Sequence, residues 1–188
     1  LGIENVHGVG MRLRMVYEGD RPRDLDALPL PAWDLLERDV DGYSVLSEYL
    51  RHEIWGVRAN NSSATPFSMK RSLNTVSSRG CPFSCRYCFR GTQGERQYGV
   101  RSPKSIIDEV RWMSDRWRVD FCGFLDDNFL VRKDRIAELA KPLGDLCSER
   151  NIRWGTHGRL DEAADGDRMD NMARGGCVYV GFGAESAS

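Results

Sequence analysis

The chain has 188 residues, 40% of them hydrophobic and 29% charged, and a formal net charge of −1 from 27 basic and 28 acidic side chains. That length can bury one substantial core, and the charge balance excludes a global pull toward nucleic acid or an anionic membrane, leaving only a local basic cleft open. No apolar run approaches the roughly 20 residues that span a bilayer, and "LGIENVHGVGMRLRM" lacks the basic-then-apolar order of a secretory signal. The expectation is a cytoplasmic protein with no membrane span and no nucleic acid partner. The chain begins with Leu and stops just after an apolar run, so both ends read as cuts in a longer polypeptide.

Residues 1–70 form a region of mixed signals. "EGDRPRDLDALPLPAWDLL" carries three prolines among alternating acids, which predicts an extended or turning linker and then a short helix from about Pro31. "DGYSVLSEYLRHEIWGVRANNSSATPFSM" ends in the polar loop "NNSSATP". His7 and His52, outside the regular part of the chain, read as surface or packing residues.

From Leu73 the pattern becomes regular. "LNTVSS" is β-prone and runs into a cysteine-rich loop. "SPKSIIDEVRWMSDRW" predicts a helix capped by Ser102, with Pro103 at its first position and Ile106, Ile107, Val110 and Met113 on one face. "VDFCGFL", residues 119–125, fits a buried parallel strand. "KDRIAELAKPLGDLCSER" is helical in period, and Pro142 is expected to kink or divide it. "IRWGTH" predicts a third strand, "DGDRMDNMARGG" a helix closed by Gly175 and Gly176, and "CVYVGFGA" a fourth strand. Strand and helix alternate four times, which argues for parallel βαβ units with chemistry gathered at the carboxyl ends of the strands. The five tryptophans, Trp33, Trp55, Trp112, Trp117 and Trp154, read as core or interface residues.

The stretch "SSRGCPFSCRYCFRG" places Cys81, Cys85 and Cys88 within eight residues, with no fourth cysteine near. Cys122, Cys147 and Cys177 are scattered among apolar residues and read as buried thiols, not as a disulfide framework. Thiolates suit zinc or iron–sulfur clusters. Structural zinc wants four ligands, often as paired C-x2-C hooks, and only one hook is present. Three thiolates can instead hold three irons of a [4Fe–4S] cluster and leave the fourth open to a small molecule. A zinc hook and three plain thiols remain as alternatives.

The C-x3-C-x2-C spacing, with Tyr87 before the last cysteine, resembles the signature of the radical S-adenosylmethionine (radical SAM) superfamily. "GFLDDNF", "GRLD" and "VGFGAES" resemble the same superfamily at matching places, and "RPRDLDALPLPAWDLL" resembles the segment joining a cobalamin-binding domain to a radical SAM barrel. The resemblance implies an α/β fold: a partial (βα) barrel over residues 71–188, with about four βα units where the family usually has six. Residues 1–70 would be a mostly irregular or helical linker following a missing cobalamin-binding domain. Cys81, Cys85 and Cys88 would ligate the cluster, whose open iron would chelate S-adenosylmethionine (SAM). One electron would then cleave SAM to methionine and a 5′-deoxyadenosyl radical that acts on a small-molecule substrate.

The same resemblance assigns roles to other residues. Asp126 or Asp127, with Asp127 favoured, would accept from the ammonium of SAM, although the family's Gly-Gly-Glu is absent; a turn or helix cap is the other reading for that pair. Arg159 would pair with the SAM carboxylate or with Glu185, an ordinary salt bridge at the rim being the other reading. Glu185 would accept from ribose hydroxyls with help from Ser186, and Tyr87 would lie beside the cluster or offer its backbone to adenine. The reductant would be a flavodoxin or ferredoxin. Cobalamin would enter only through the missing upstream domain, in methyl transfer, ring formation or another radical rearrangement. An electron-transfer or structural iron–sulfur module without SAM cleavage is the alternative, and a tRNA-modifying methylthiotransferase relative is a third reading.

Overall fold

The computed structural model describes residues 5–9, 12–16, 22, 24–39, 41–51, 69–89 and 97–183. Two short strands, β1 (Asn5–Val9) and β2 (Arg12–Val16), pair antiparallel near the start. This hairpin is absent from the sequence reading, which treats residues 1–70 as mostly irregular or helical. A 3-10 turn over Trp33–Glu37 stands where a short helix is expected, and α1 (Val45–Arg51) follows.

The main sheet has four parallel strands in the order β3 (Ser72–Thr75), β6 (Phe121–Phe124), β7 (Arg153–Gly158) and β8 (Cys177–Phe182). Helices α2 (Pro103–Trp117), α3 (Lys133–Arg150) and α4 (Gly166–Arg174) connect them. The alternation expected from the sequence is therefore realised as an α/β partial barrel.

Helix ends follow local chemistry. Ser102 Oγ accepts from the Ser105 amide at 3.2 Å, and Arg118 and Asn151 close α2 and α3 in the left-handed conformation. The structure does not divide α3 at Pro142, which lies inside one 18-residue helix. Pro142 is exposed, so the carbonyl it leaves without a partner faces water, while Ile136, Leu139, Leu143 and Leu146 bury the opposite side. Gly144 is needed at the α3–α4 crossing, where a Cβ would lie 2.2 Å from the Arg174 carbonyl oxygen. Gly176, at φ +86°, turns the chain from α4 into β8.

The core lies between the sheet and the helices. Leu73, Cys122, Phe124 and Trp154 of the sheet meet Ile106, Val110 and Met113 of α2 and Leu139 and Leu143 of α3. Phe124, Phe129 and Trp154 pack with centroids 5.1–5.5 Å apart. Trp112, Trp117 and Trp33 form a second aromatic cluster where the N-terminal region docks on α2, while Trp55 lies outside the described residues. That docking is also polar. Glu37 takes both the Arg116 guanidinium and the Trp117 indole N–H, and Asp26 accepts from the Ser102 amide at 3.0 Å.

"LNTVSS" is not one strand running into the cysteine loop. The chain leaves the parallel sheet after Thr75 and enters a separate antiparallel hairpin, β4 (Ser78–Gly80) with β5 (Tyr98–Val100). The cysteine loop joins these two strands.

Two buried polar clusters hold the root of this hairpin. In the first, the Arg101 guanidinium meets the fully buried Glu109 carboxylate on α2, which also accepts from Thr75 Oγ1 at 2.7 Å. Arg101 further donates to the Val76 carbonyl at 3.0 Å and to Ser105. In the second, the buried Asp126 carboxylate accepts from the Ser77 amide at 2.6 Å, Ser77 Oγ at 2.5 Å and Ser78 Oγ at 2.7 Å. The buried Arg135 of α3 donates to the Ser77 carbonyl at 2.9 Å and lies over the Phe129 ring at 5.1 Å.

These clusters yield two expectations. Glu109→Gln leaves a buried guanidinium without its counter-charge and should lower unfolding stability by about 3–5 kcal/mol, read from urea unfolding of the full chain. Asp126→Asn removes one acceptor from a site that receives three donors. It should cost about 1–3 kcal/mol and speed amide exchange over 77–80 and 98–101, while β6 and β7 keep wild-type protection. Unchanged exchange at Ser77 would contradict the role given to Asp126.

Candidate cluster and cofactor site

The cysteine loop begins where Gly80 closes β4 at φ +92°. Its amide donates to Asp127 Oδ2 at 3.0 Å, so the residue just before Cys81 is tied to the end of β6. A tight turn follows, in which the Cys88 amide donates to the Cys85 carbonyl at 3.1 Å. Cys81, Cys85 and Cys88 are free thiols with intermediate exposure. Burial, reinforced by the negative charge of Asp127, raises the pKa of Cys81. A ligand must be deprotonated, so binding a metal group here releases protons.

The loop is also held from β7. Arg159, just beyond that strand, donates from Nη1 to Cys85 Sγ at 3.2 Å, and its guanidinium lies 4.1 Å above the Phe83 ring. Its Nε and Nη2 reach the two carboxylate oxygens of Asp161 at 3.0 and 2.6 Å. Asn128, nearly fully buried, donates to Glu162 at 2.7 Å and accepts from the Leu130 amide at 3.0 Å. The segments after β4, β6 and β7 thus bond to one another along one rim.

The structure brings together Cys81, Cys85, Cys88, Asp126, Asp127 and Arg159. Asp126 and Asp127 sit differently. The first is buried against Ser77 and Ser78, and the second faces the first residues of the cysteine loop. Arg159 contacts Cys85 and Asp161. Tyr87 is 69% exposed at the loop tip. Glu185 and Ser186 lie outside the described residues. Phe83, Asn128, Asp161 and Glu162 were missed by sequence reasoning. Asn128 and Asp161 had a signal, since "DDNF" and "GRLD" each follow a predicted strand, but the Asn128–Glu162 contact needs two loops adjacent in space.

The remaining cysteines are a different population. Cys122 and Cys147 are buried in the helix–sheet core, and Cys177 packs against its edge. Burial pushes the thiol of Cys122 well up and those of Cys147 and Cys177 up to about 12, so all three stay protonated and inert near neutral pH.

The donor set fits an iron–sulfur cluster. Three soft sulfur ligands share one short loop, and each other cysteine belongs to the core. Among the described residues no three His, Cys, Asp or Glu side chains focus on a single point. An apolar cavity of about 310 Å³ lies beside the hairpin root, between Leu25, Pro29 and Trp33 of the N-terminal region and Asn74, Val76 and Arg79. No helix among the described residues is long and apolar enough to cross a membrane.

Comparison with known proteins agrees with this geometry. The model of the radical SAM superfamily matches residues 75–188. An uncharacterised methyltransferase of Pyrococcus horikoshii is 27% identical over 173 residues, covering 91% of this chain and 32% of its own length. The cytidylyl-2-hydroxyethylphosphonate methyltransferase of Streptomyces wedmorensis is 27% identical over 164 residues, covering 87% of this chain and 27% of its own. The anaerobic magnesium-protoporphyrin IX monomethyl ester cyclase of Cereibacter sphaeroides is 24% identical over 136 residues, covering 71% and 22%. The chain therefore spans a third or less of the length of these curated relatives. With the family model covering more than half of the chain, and its cysteine loop seated at the carboxyl rim of a parallel sheet, this protein belongs to the radical SAM superfamily.

Proposed function

We propose that this chain carries the cluster-binding part of a radical SAM enzyme that performs methyl transfer or a related radical transformation. The observation that carries the reading is the division of the cysteines: three on one rim loop and three in or against the core, with no fourth thiol at the loop. Cys81, Cys85 and Cys88 would hold three irons of a [4Fe–4S] cluster. When bound, that cluster supplies the electron that cleaves SAM at its open iron.

The chain's own residues would bind and orient. Asp127 stands beside Cys81 with its carboxylate toward the loop, a position suited to accept from the SAM ammonium. Asp126 fixes the hairpin root from below. Arg159 and Phe83 brace the middle of the loop, and Tyr87 would shield its tip. Glu185 and Ser186 would meet the ribose, and a flavodoxin or ferredoxin would deliver electrons.

Methyl transfer is favoured because two of the relatives above are named methyltransferases. The cyclase relative keeps ring formation within the same class. A cobalamin-dependent branch is suggested by the linker phrase. These residues hold no D-x-H-x-x-G motif, so a corrin would have to be seated elsewhere in a longer protein. The substrate would be a small molecule.

Anaerobic reconstitution of the full chain with iron and sulfide should yield about four irons per chain, and millimolar SAM should alter the EPR signal of the reduced cluster. Alanine at Cys81, Cys85 or Cys88 should abolish that signal, while Cys122→Ala should leave it unchanged. An iron signal indifferent to SAM would favour an electron-transfer or structural module. Stoichiometric zinc without iron would defeat both readings.

A further inference from the structure

We propose that Arg159 is a positioning residue that raises the reduction potential of the cluster by donating a charged hydrogen bond to the sulfur of Cys85, and this rests on the cluster reading above. The guanidinium is engaged on three sides. Nε and Nη2 form a fork on Asp161, Nη1 donates to Cys85 Sγ at 3.2 Å, and the planar face lies 4.1 Å above Phe83. With one edge of the planar guanidinium fixed on Asp161, the direction of the Nη1 N–H groups is set by that plane.

The support for Arg159 is also rigid. It follows β7, which pairs with β6 on one side and β8 on the other. Phe83 and Cys85 belong to the cysteine loop, so two independent contacts join the loop to a central strand through one side chain.

The electrostatic sign follows from the charges. Taking one electron moves the cluster from the 2+ to the 1+ state, with no bond made or broken and no proton moved. The electron comes from an external low-potential donor. A cationic donor at a ligand sulfur withdraws electron density and favours the more negative, reduced state. Asp161 opposes this, but it lies on the far edge of the guanidinium from Cys85. The Arg159 side chain is 34% exposed, so water and salt damp the effect without removing the hydrogen bond.

The role differs from binding the SAM carboxylate, because a donor aimed at a ligand sulfur acts on the cluster with or without SAM, whereas a carboxylate contact acts only when SAM is bound. A potentiometric titration of the reconstituted full chain, followed by EPR without SAM, separates them. Arg159→Gln should retain about four irons per chain. Its ratio of reduced to oxidised cluster at the wild-type midpoint should fall about tenfold, a shift of about 59 mV for a one-electron couple. Arg159→Lys keeps the charge but loses the fork and should fall between the two. Should the Gln variant lose iron, the Lys variant carries the test, and its midpoint must still lie below wild type. An unchanged midpoint in an iron-loaded variant overturns the proposal. If that variant also needs more SAM to alter the EPR signal, Arg159 serves the SAM carboxylate instead. A wild-type chain that takes up no cluster overturns the functional reading itself and this proposal with it.

Discussion

The chain has to step out of its parallel sheet at Ser77 to carry the cysteine loop. Ser77 lies between two strands and is fully buried, so its amide and hydroxyl need partners from elsewhere in the fold. Asp126 accepts its amide and hydroxyl, while its carbonyl receives the Arg101 amide at 3.0 Å and an Arg135 N–H at 2.9 Å. Every polar group of this residue is therefore used. The partners come from the loop after β6, from the residue after β5, and from α3, so the hairpin root is joined to three parts of the fold. Without this satisfaction the exit from the sheet would carry the cost of several buried unpaired groups.

The Arg101–Glu109 pair performs the same task from the other side. It sits under the return strand of the hairpin, on the first long helix. The two arginines reach adjacent carbonyls just ahead of the cysteine loop, Arg101 at Val76 and Arg135 at Ser77. Buried charges are costly unless paired and hydrogen-bonded. Their presence at this point, in a core that is elsewhere aliphatic and aromatic, concentrates polar specificity where the loop must start in a defined direction. On either side of Cys88, Tyr87 and Phe89 are strongly exposed.

Thiol chemistry is partitioned by the same architecture. Core cysteines behave as small apolar residues, and burial keeps them protonated. Loop cysteines stand at the carboxyl rim, where the chain turns and acidic and basic side chains converge. Neighbouring loops are bonded by Asp127–Gly80, Arg159–Cys85 and Asn128–Glu162. That cross-linking makes the rim a connected surface, with β7 as its middle support.

Much of this was legible in the residues. The alternation of apolar strands and amphipathic helices determined a parallel α/β fold, because periodicity reports which face of each element is buried. Ser102 and Pro103 marked the start of α2, and the spacing of three cysteines pointed to the superfamily that the family model matches. The structure alone decided that Asp126 and Asp127 diverge, one fastened to the hairpin root and one turned to the loop. It also decided that Arg159 reaches Cys85, that Pro142 stays within one helix and that a hairpin intervenes between β3 and the cysteines. Each of these depends on partners distant in the chain, 49 residues between Ser77 and Asp126 and 74 between Cys85 and Arg159. Local sequence pattern carries propensity and burial, but a hydrogen bond across such a span exists only after the intervening strands and helices have packed.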